Sequence, residues 1–109
     1  MIRLKFDKKF YGMIQKGVKT QTTRDHLKTG LTDGMVVRAV FVDDDYIIPF
    51  YLHIYVDRIV EKKFKYLSDS DAQREGYNRK EELMNVLMDY YSLTPDSMVY
   101  CIEFNLVKD

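Results

Sequence analysis

The residues best suited to chemistry lie together in Lys19-Thr20-Gln21-Thr22-Thr23-Arg24-Asp25, directly after Gly17-Val18. One Lys, three Thr, one Arg and one Asp fall within seven residues that contain no aliphatic side chain. Such a stretch is not written to fill a core. Three hydroxyls beside two cations suit a polar or anionic ligand, such as a phosphate or a nucleobase edge. A lysine beside a hydroxyl also makes a base and a nucleophile, provided burial depresses the lysine pKa. The competing expectation is a Thr-rich edge strand with solvated charges, because Thr favours strands.

The flanking elements must position this stretch. Ile2, Leu4 and Phe6 alternate with Arg3, Lys5 and Asp7, the pattern of a half-buried strand. Asp7 is placed to cap a following helix whose core stripe is Phe10, Met13 and Ile14. Gly17 supplies a left-handed stop, and the polar stretch follows at once. In a regular strand Lys19 and Thr22 would point to opposite faces, since their separation is odd. A Lys19–Thr22 pair therefore requires Lys19 to sit in the bend after Gly17, or in a bulge. If the strand is regular from Lys19 onward, Gln21 and Thr23 share its face and Thr23 becomes the partner hydroxyl. Residues 25–34 are loop-like, with Gly30 and Asp33-Gly34 as turn signals, and are expected to wall a pocket.

Beyond the loop, Met35–Val42 and Tyr46–Val60 read as strands joined by Asp43-Asp44-Asp45. Ile48, Phe50, Leu52, Ile54 and Val56 share one face of the longer strand; Tyr51, His53 and Tyr55 share the other. Pro49 marks an edge or a bulge. The Tyr51–His53–Tyr55 stripe is either a stacking platform for bases or an outer face covered by a helix. Ser68 with Asp71 forms a capping box for a short helix, Asp69 to Glu75, which Gly76 stops. A second helix is expected after Asn78, with Glu81 at its third position. It would extend to about Tyr91 and bury Leu83, Val86, Leu87 and Tyr90. Met98–Leu106 closes the chain as an alternating strand. The order predicts one α+β domain over residues 1–109, with a small, strongly bent mixed sheet or β-barrel flanked by helices.

Composition narrows the class. The chain has 109 residues, no net charge and 46% hydrophobic content, values of an ordinary globular domain. Residues 1–29 carry eight Lys/Arg against two Asp, hence +6, so one end is basic while the remainder is acidic. That polarity allows local contact with a phosphate backbone and argues against tight non-specific DNA binding. The single cysteine, Cys101, lies in an apolar alternating run and reads as a buried small group. With no intrachain disulfide, no apolar run near 20 residues and no signal-peptide pattern, a reducing, cytoplasmic setting without a membrane is expected. The two histidines lack ligand partners at useful spacing, so neither a metal nor a cofactor is expected.

Several of these pieces, in this order, resemble a known family. The helix ending at Gly17, then Lys19-Thr20, Thr22 and Arg24, resembles the opening motif of ASCH domains in the PUA-like superfamily. Thr29-Gly30 to Arg38 is similar to that family's turn into a strand. Leu67-Ser68 to Glu75-Gly76-Tyr77, then Glu81-Glu82-Leu83, resembles its middle segment, and Met98 to Phe104 its closing strand. The resemblance implies a PUA-like β-barrel whose cleft handles RNA or modified nucleosides. Gly17 to Asp25 is also similar, without a gap, to the corresponding motif of small bacterial N4-acetylcytidine amidohydrolases. That likeness implies a catalytic group of Lys19, Thr22 and Glu75, with Arg24, Thr20 and Tyr77 contacting substrate or RNA. The alternative is a non-catalytic PUA-like module that binds RNA through the same cleft.

Overall fold

The computed structural model describes residues 1–108. Among the described residues five strands form one curled sheet in the order β1-β3-β4-β5-β2. They are β1 (Arg3–Asp7), β2 (Gln21–Arg24), β3 (Val36–Asp43), β4 (Tyr46–Lys63) and β5 (Met98–Leu106). β1 runs parallel to β3, and the remaining pairs are antiparallel. Consecutive strands β1 and β2 therefore end on opposite edges of the sheet. The chain crosses between them through a 3-10 turn (Lys8–Phe10) and α1 (Tyr11–Gln15). Asp7 caps this crossover by accepting the Lys9 amide at 2.9 Å. Gly17, at φ +76°, ends it.

Curling is built into β4. This 18-residue strand pairs with β3 through its first half and with β5 through its second. Two irregularities bend it. Ile48, Pro49 and Phe50 stand opposite Phe41 alone, which removes Pro49 from any ladder position. Asp57 is the extra residue between the Val56–Phe104 and Arg58–Glu103 pairs. The sheet closes to a half-barrel, with β1 and β2 facing each other across the gap. Side chains bridge the rims there: the Arg24 guanidinium donates to the Lys5 carbonyl (2.7 Å) and the Lys28 ammonium to the Arg3 carbonyl (2.7 Å). The free edge of β1 is thereby capped by cations.

Two apolar clusters follow from the alternation of β5. Ile102 and Phe104 point inward to Leu4, Phe6, Ile14, Phe41, Ile54 and Val56. Val99 and Cys101 point outward to Phe64, Leu67 and Ala72, and to Leu83 and Leu87 of α3 (Lys80–Tyr90). Cys101 is buried as expected, and that burial pushes its thiol up to about 11. The Ser68–Asp71 capping box starts α2 (Asp69–Arg74).

Three expectations are corrected. α3 begins at Lys80 with Arg79 as its N-cap, so Glu82 and not Glu81 holds the third position. Tyr90 is 70% exposed, because the buried stripe of α3 is Leu83 and Leu87. Phe50 is 64% exposed at the Pro49 bulge, where the inward face of β4 is interrupted. The Tyr51–His53–Tyr55 stripe is not under a helix. Tyr51 and Tyr55 are nearly half exposed, and Arg38 stacks 4.2 Å from the Tyr51 ring. No described helix is long and apolar enough to cross a membrane.

Candidate functional site

Most of the polar stretch is buried, with Thr20 and Arg24 half-buried and Asp25 exposed. Lys19, Gln21, Thr22 and Thr23 are each at most 6% exposed, which rules out the solvated edge-strand expectation although β2 does lie at an edge. Burial of so many polar groups requires partners, and α2 provides them. Glu75, at its C-cap and 3% exposed, accepts the Thr23 amide on Oε1 (3.1 Å). Its Oε2 accepts the Thr23 hydroxyl (2.5 Å) and the Gln21 side-chain amide (2.9 Å). Gln21 and Thr23 lie on one face of β2, as the strand period demands.

Gln21 extends the network to Asp71. The Gln21 amide nitrogen also lies 3.2 Å from Asp71 Oδ1, and its oxygen accepts from Arg74 (2.8 Å). Asp71, fully buried, accepts further from Lys62, Arg74 and Ser68. Burial raises its pKa, but the Ser68 amide, Lys62 and Gln21 outweigh that, and the carboxyl ends below its usual range. Asp71 is thus an ionised anchor holding α2, and with it Glu75, against β2.

Lys19 lies before β2, in the bend that Gly17 opens. Its amide and that of Val18 both reach back to the Met13 carbonyl. The bend turns Lys19 into the same cavity that Thr22 and Thr23 line, so the odd spacing is no obstacle. Lys19 Nζ donates to the main-chain carbonyl of Glu75 (3.2 Å) and sits 4.3 Å from the centre of the Phe10 ring. Burial pulls its pKa from 10.5 to about 8, against the opposing pull of the Glu75 charge; Arg24 and Lys9 add to the lowering. Burial likewise raises the Glu75 carboxyl, against Lys19, Thr23 and Gln21. A lysine in this state exchanges a proton at about pH 8.

Thr22 and Arg24 occupy the alternate face. Arg24 Nε donates to the Thr22 hydroxyl (3.1 Å), and the guanidinium lies 5.2 Å from the centre of the Phe6 ring. The cavity has a volume of about 460 Å³, in the range of small-molecule sites. Phe6 and Phe10 line one side. Leu83, Leu87 and the two tyrosines Tyr90 and Tyr91 of the α3 region line the other. Tyr77 is also on the wall, and burial raises its hydroxyl pKa, as does the Glu75 charge.

The fold therefore gathers Lys19, Thr22, Thr23, Arg24, Glu75 and Tyr77 around one cavity, and Thr20 is not among them. The main chain of Thr20 is engaged instead, donating to the Arg74 carbonyl and accepting from the Phe104 amide. The 25–34 loop does not wall this cavity; α3 does. Gln21 and Asp71 were passed over in the sequence. Their signal was present: a glutamine inside a Thr-rich strand, and an Asp already required by a capping box. Among the described residues no cluster of His, Cys, Asp or Glu could hold a metal ion.

No protein-family model matches this sequence, and no curated protein does at a significant level. Solved structures are similar in fold. Protein EF3133 from Enterococcus faecalis V583, of family model DUF984, superposes with a TM-score of 0.72 at 16% identity, over 98% of this chain and 76% of its own. Hypothetical protein PH0355 gives 0.70 at 17% identity, over 96% and 97%. The ASCH domain from Lactobacillus crispatus JV V101 gives 0.65 at 13% identity, over 87% and 68%. The chain thus has an ASCH/PUA-like α+β fold.

Proposed function

We propose that the protein is an amidohydrolase that removes the acetyl group of N4-acetylcytidine or a related modified nucleoside. The observation that carries this reading is Lys19, buried in the cavity with its pKa lowered to about 8, beside the hydroxyl-bearing strand β2. A binding module for phosphate or RNA gains nothing from burying a lysine until its charge is lost at about pH 8 instead of 10.5.

The roles follow from which groups are already engaged. The Thr23 hydroxyl donates to Glu75, so its proton is committed and its part is to orient that carboxyl. The Thr22 oxygen accepts from Arg24, which leaves its own proton free and stabilises developing negative charge. Neutral Lys19 takes the Thr22 proton as Thr22 Oγ bonds to the acetyl carbon. The bond from that carbon to N4 then breaks, and Lys19 returns the proton to the departing amine. Water hydrolyses the acetyl-threonine ester to acetate and regenerates Thr22. Glu75, through its main-chain carbonyl, holds the lysine nitrogen. The aromatic walls suit a flat base.

The test is to incubate the protein with N4-acetylcytidine and follow cytidine and acetate release, with Lys19→Ala and Thr22→Ala as controls. Turnover lost in both variants supports the mechanism. A folded wild type that releases nothing sinks the substrate and leaves the RNA-binding module as the better reading. Turnover unchanged in both variants sinks the assigned roles.

A further inference from the structure

A second cavity of about 260 Å³ adjoins the first, and Lys5 and Arg24 line both. It lies at the open seam between β1 and the 25–34 loop. Its polar lining is entirely basic: Arg3, Lys5, Arg24, His26 and Lys28, over an apolar floor of Leu4, Leu31 and Ile102. Among the described residues no carboxylate lines it. The nearest in sequence, Asp25, is engaged with the His26 ring at 2.5 Å. Lys28 uses one of its three donors on the Arg3 carbonyl, which fixes the side chain across the seam and leaves the others for a ligand. In a protein with no net charge, four Lys and Arg side chains around one small cavity are a local excess of positive charge.

We infer that this second cavity is a phosphate subsite, which receives the phosphoryl group of a nucleotide whose base occupies the main cavity. The inference rests on the nucleoside reading given above and deepens it. The ligand is then a nucleotide, free or within an RNA chain, and not a bare nucleoside. Arg24, shared by both cavities, would touch both parts of it. Two cations on opposite rims, Arg3 on β1 and Lys28 on the loop, form the clamp.

The test compares three probes by calorimetry: N4-acetylcytidine, its 5′-monophosphate and its 3′-monophosphate. Inorganic phosphate is titrated separately, with the amide resonances of residues 24–28 as the readout. One phosphorylated probe should bind about tenfold more tightly than the nucleoside, as one charge-assisted hydrogen bond would give. That advantage should shrink with added salt. Arg3→Gln and Lys28→Gln should each remove most of it and leave the nucleoside affinity unchanged. A short acetylcytidine-containing oligonucleotide that keeps the advantage would assign the phosphate to an RNA chain; loss of it there would assign a free nucleotide. Equal affinity for all three probes overturns the subsite and leaves the nucleoside reading intact. No nucleoside binding, with phosphate still shifting residues 24–28 in the wild type only, overturns the nucleoside reading and keeps the subsite. No response to any probe overturns both.

Discussion

The Lys19 ammonium meets the main-chain carbonyl of Glu75, while the carboxylate of the same residue turns to Gln21 and Thr23. A lysine paired directly with a carboxylate would be held charged. Routing the contact through the carbonyl keeps the two residues adjacent and lets desolvation dominate. The Lys19 amine and the Glu75 carboxyl can thus share one cavity without a direct ion pair.

The proposed reaction should follow the deprotonation of Lys19. With its pKa near 8, kcat/KM for N4-acetylcytidine should climb through that region and level off above it. The Glu75 charge raises the Lys19 pKa, so Glu75→Gln should move the climb to lower pH. A profile that falls between pH 7 and 9 would exclude Lys19 as the base.

Stability should carry the same signature. The Lys19 pKa is lower folded than unfolded, so below about pH 8 the native state bears the full cost of a buried ammonium. That cost is relieved as pH rises from about 8 to 10.5, and it amounts to roughly 3 kcal/mol from the pKa difference. Lys19→Met should therefore be more stable than the wild type at pH 7, with the gap closing towards pH 10.5. Urea midpoints of both proteins across this range measure it; a gap that widens with pH would contradict the burial argument.

The two adjacent threonines should separate cleanly. Thr22→Val should lower turnover about a thousandfold or more, the scale for loss of a nucleophile, with little change in Tm. Thr23→Val strips a buried carboxylate of a donor and should cost about 1–3 kcal/mol of stability. Equal kinetic and thermal effects from both substitutions would mean that the hydroxyls play one shared role.

Asp71→Ala should be the most damaging polar substitution outside the cavity. It removes the α2 capping box and the acceptor of the buried Gln21 amide, an expected loss of about 2–3 kcal/mol, while Lys62 and Arg74 are exposed enough to be hydrated. Asp71→Asn keeps part of the hydrogen bonding and should lose less. Thermal melts of the two variants give the comparison, and near-wild-type stability of Asp71→Ala would show that the network is dispensable.

Gly76 closes α2 at φ +97°, and a β-carbon there would run into the Met13 side chain. Gly76→Ala should cost about 1–2 kcal/mol from the left-handed backbone alone. Met13→Ala in the same chain should recover only the steric part. Full recovery in the double variant would show that backbone conformation contributes little.

Local signals carried well from sequence to structure. Alternation at Leu4 and Phe6, the Ser68–Asp71 box and the stops at Gly17 and Gly76 are all encoded within a few residues. Two kinds of feature were not legible. Pro49 marks an edge or a bulge in the sequence, but only its pairing with β3 shows that Phe50 leaves the inward face. The wall formed by α3 and the Gln21–Asp71 link depend on how α2 and α3 dock, which no short-range pattern specifies. Whether Thr22 or Thr23 shares a pocket with Lys19 depends on the bend before β2 in the same way, and both threonines line the cavity with it.

Among the described residues β2, which carries the hydroxyls, pairs in the sheet with β5 alone, and Thr23 meets Cys101 across 78 residues of chain. Its other anchor, Glu75, is 52 residues away. The site is therefore among the parts of the molecule with the highest contact order, and it should form late in folding. Its four-residue strand at a sheet edge is also the element easiest to release without melting the rest. Amide exchange of Gln21 to Arg24 should then outpace that of β3 and β4, so the proposed turnover should be lost on heating before the half-barrel itself unfolds.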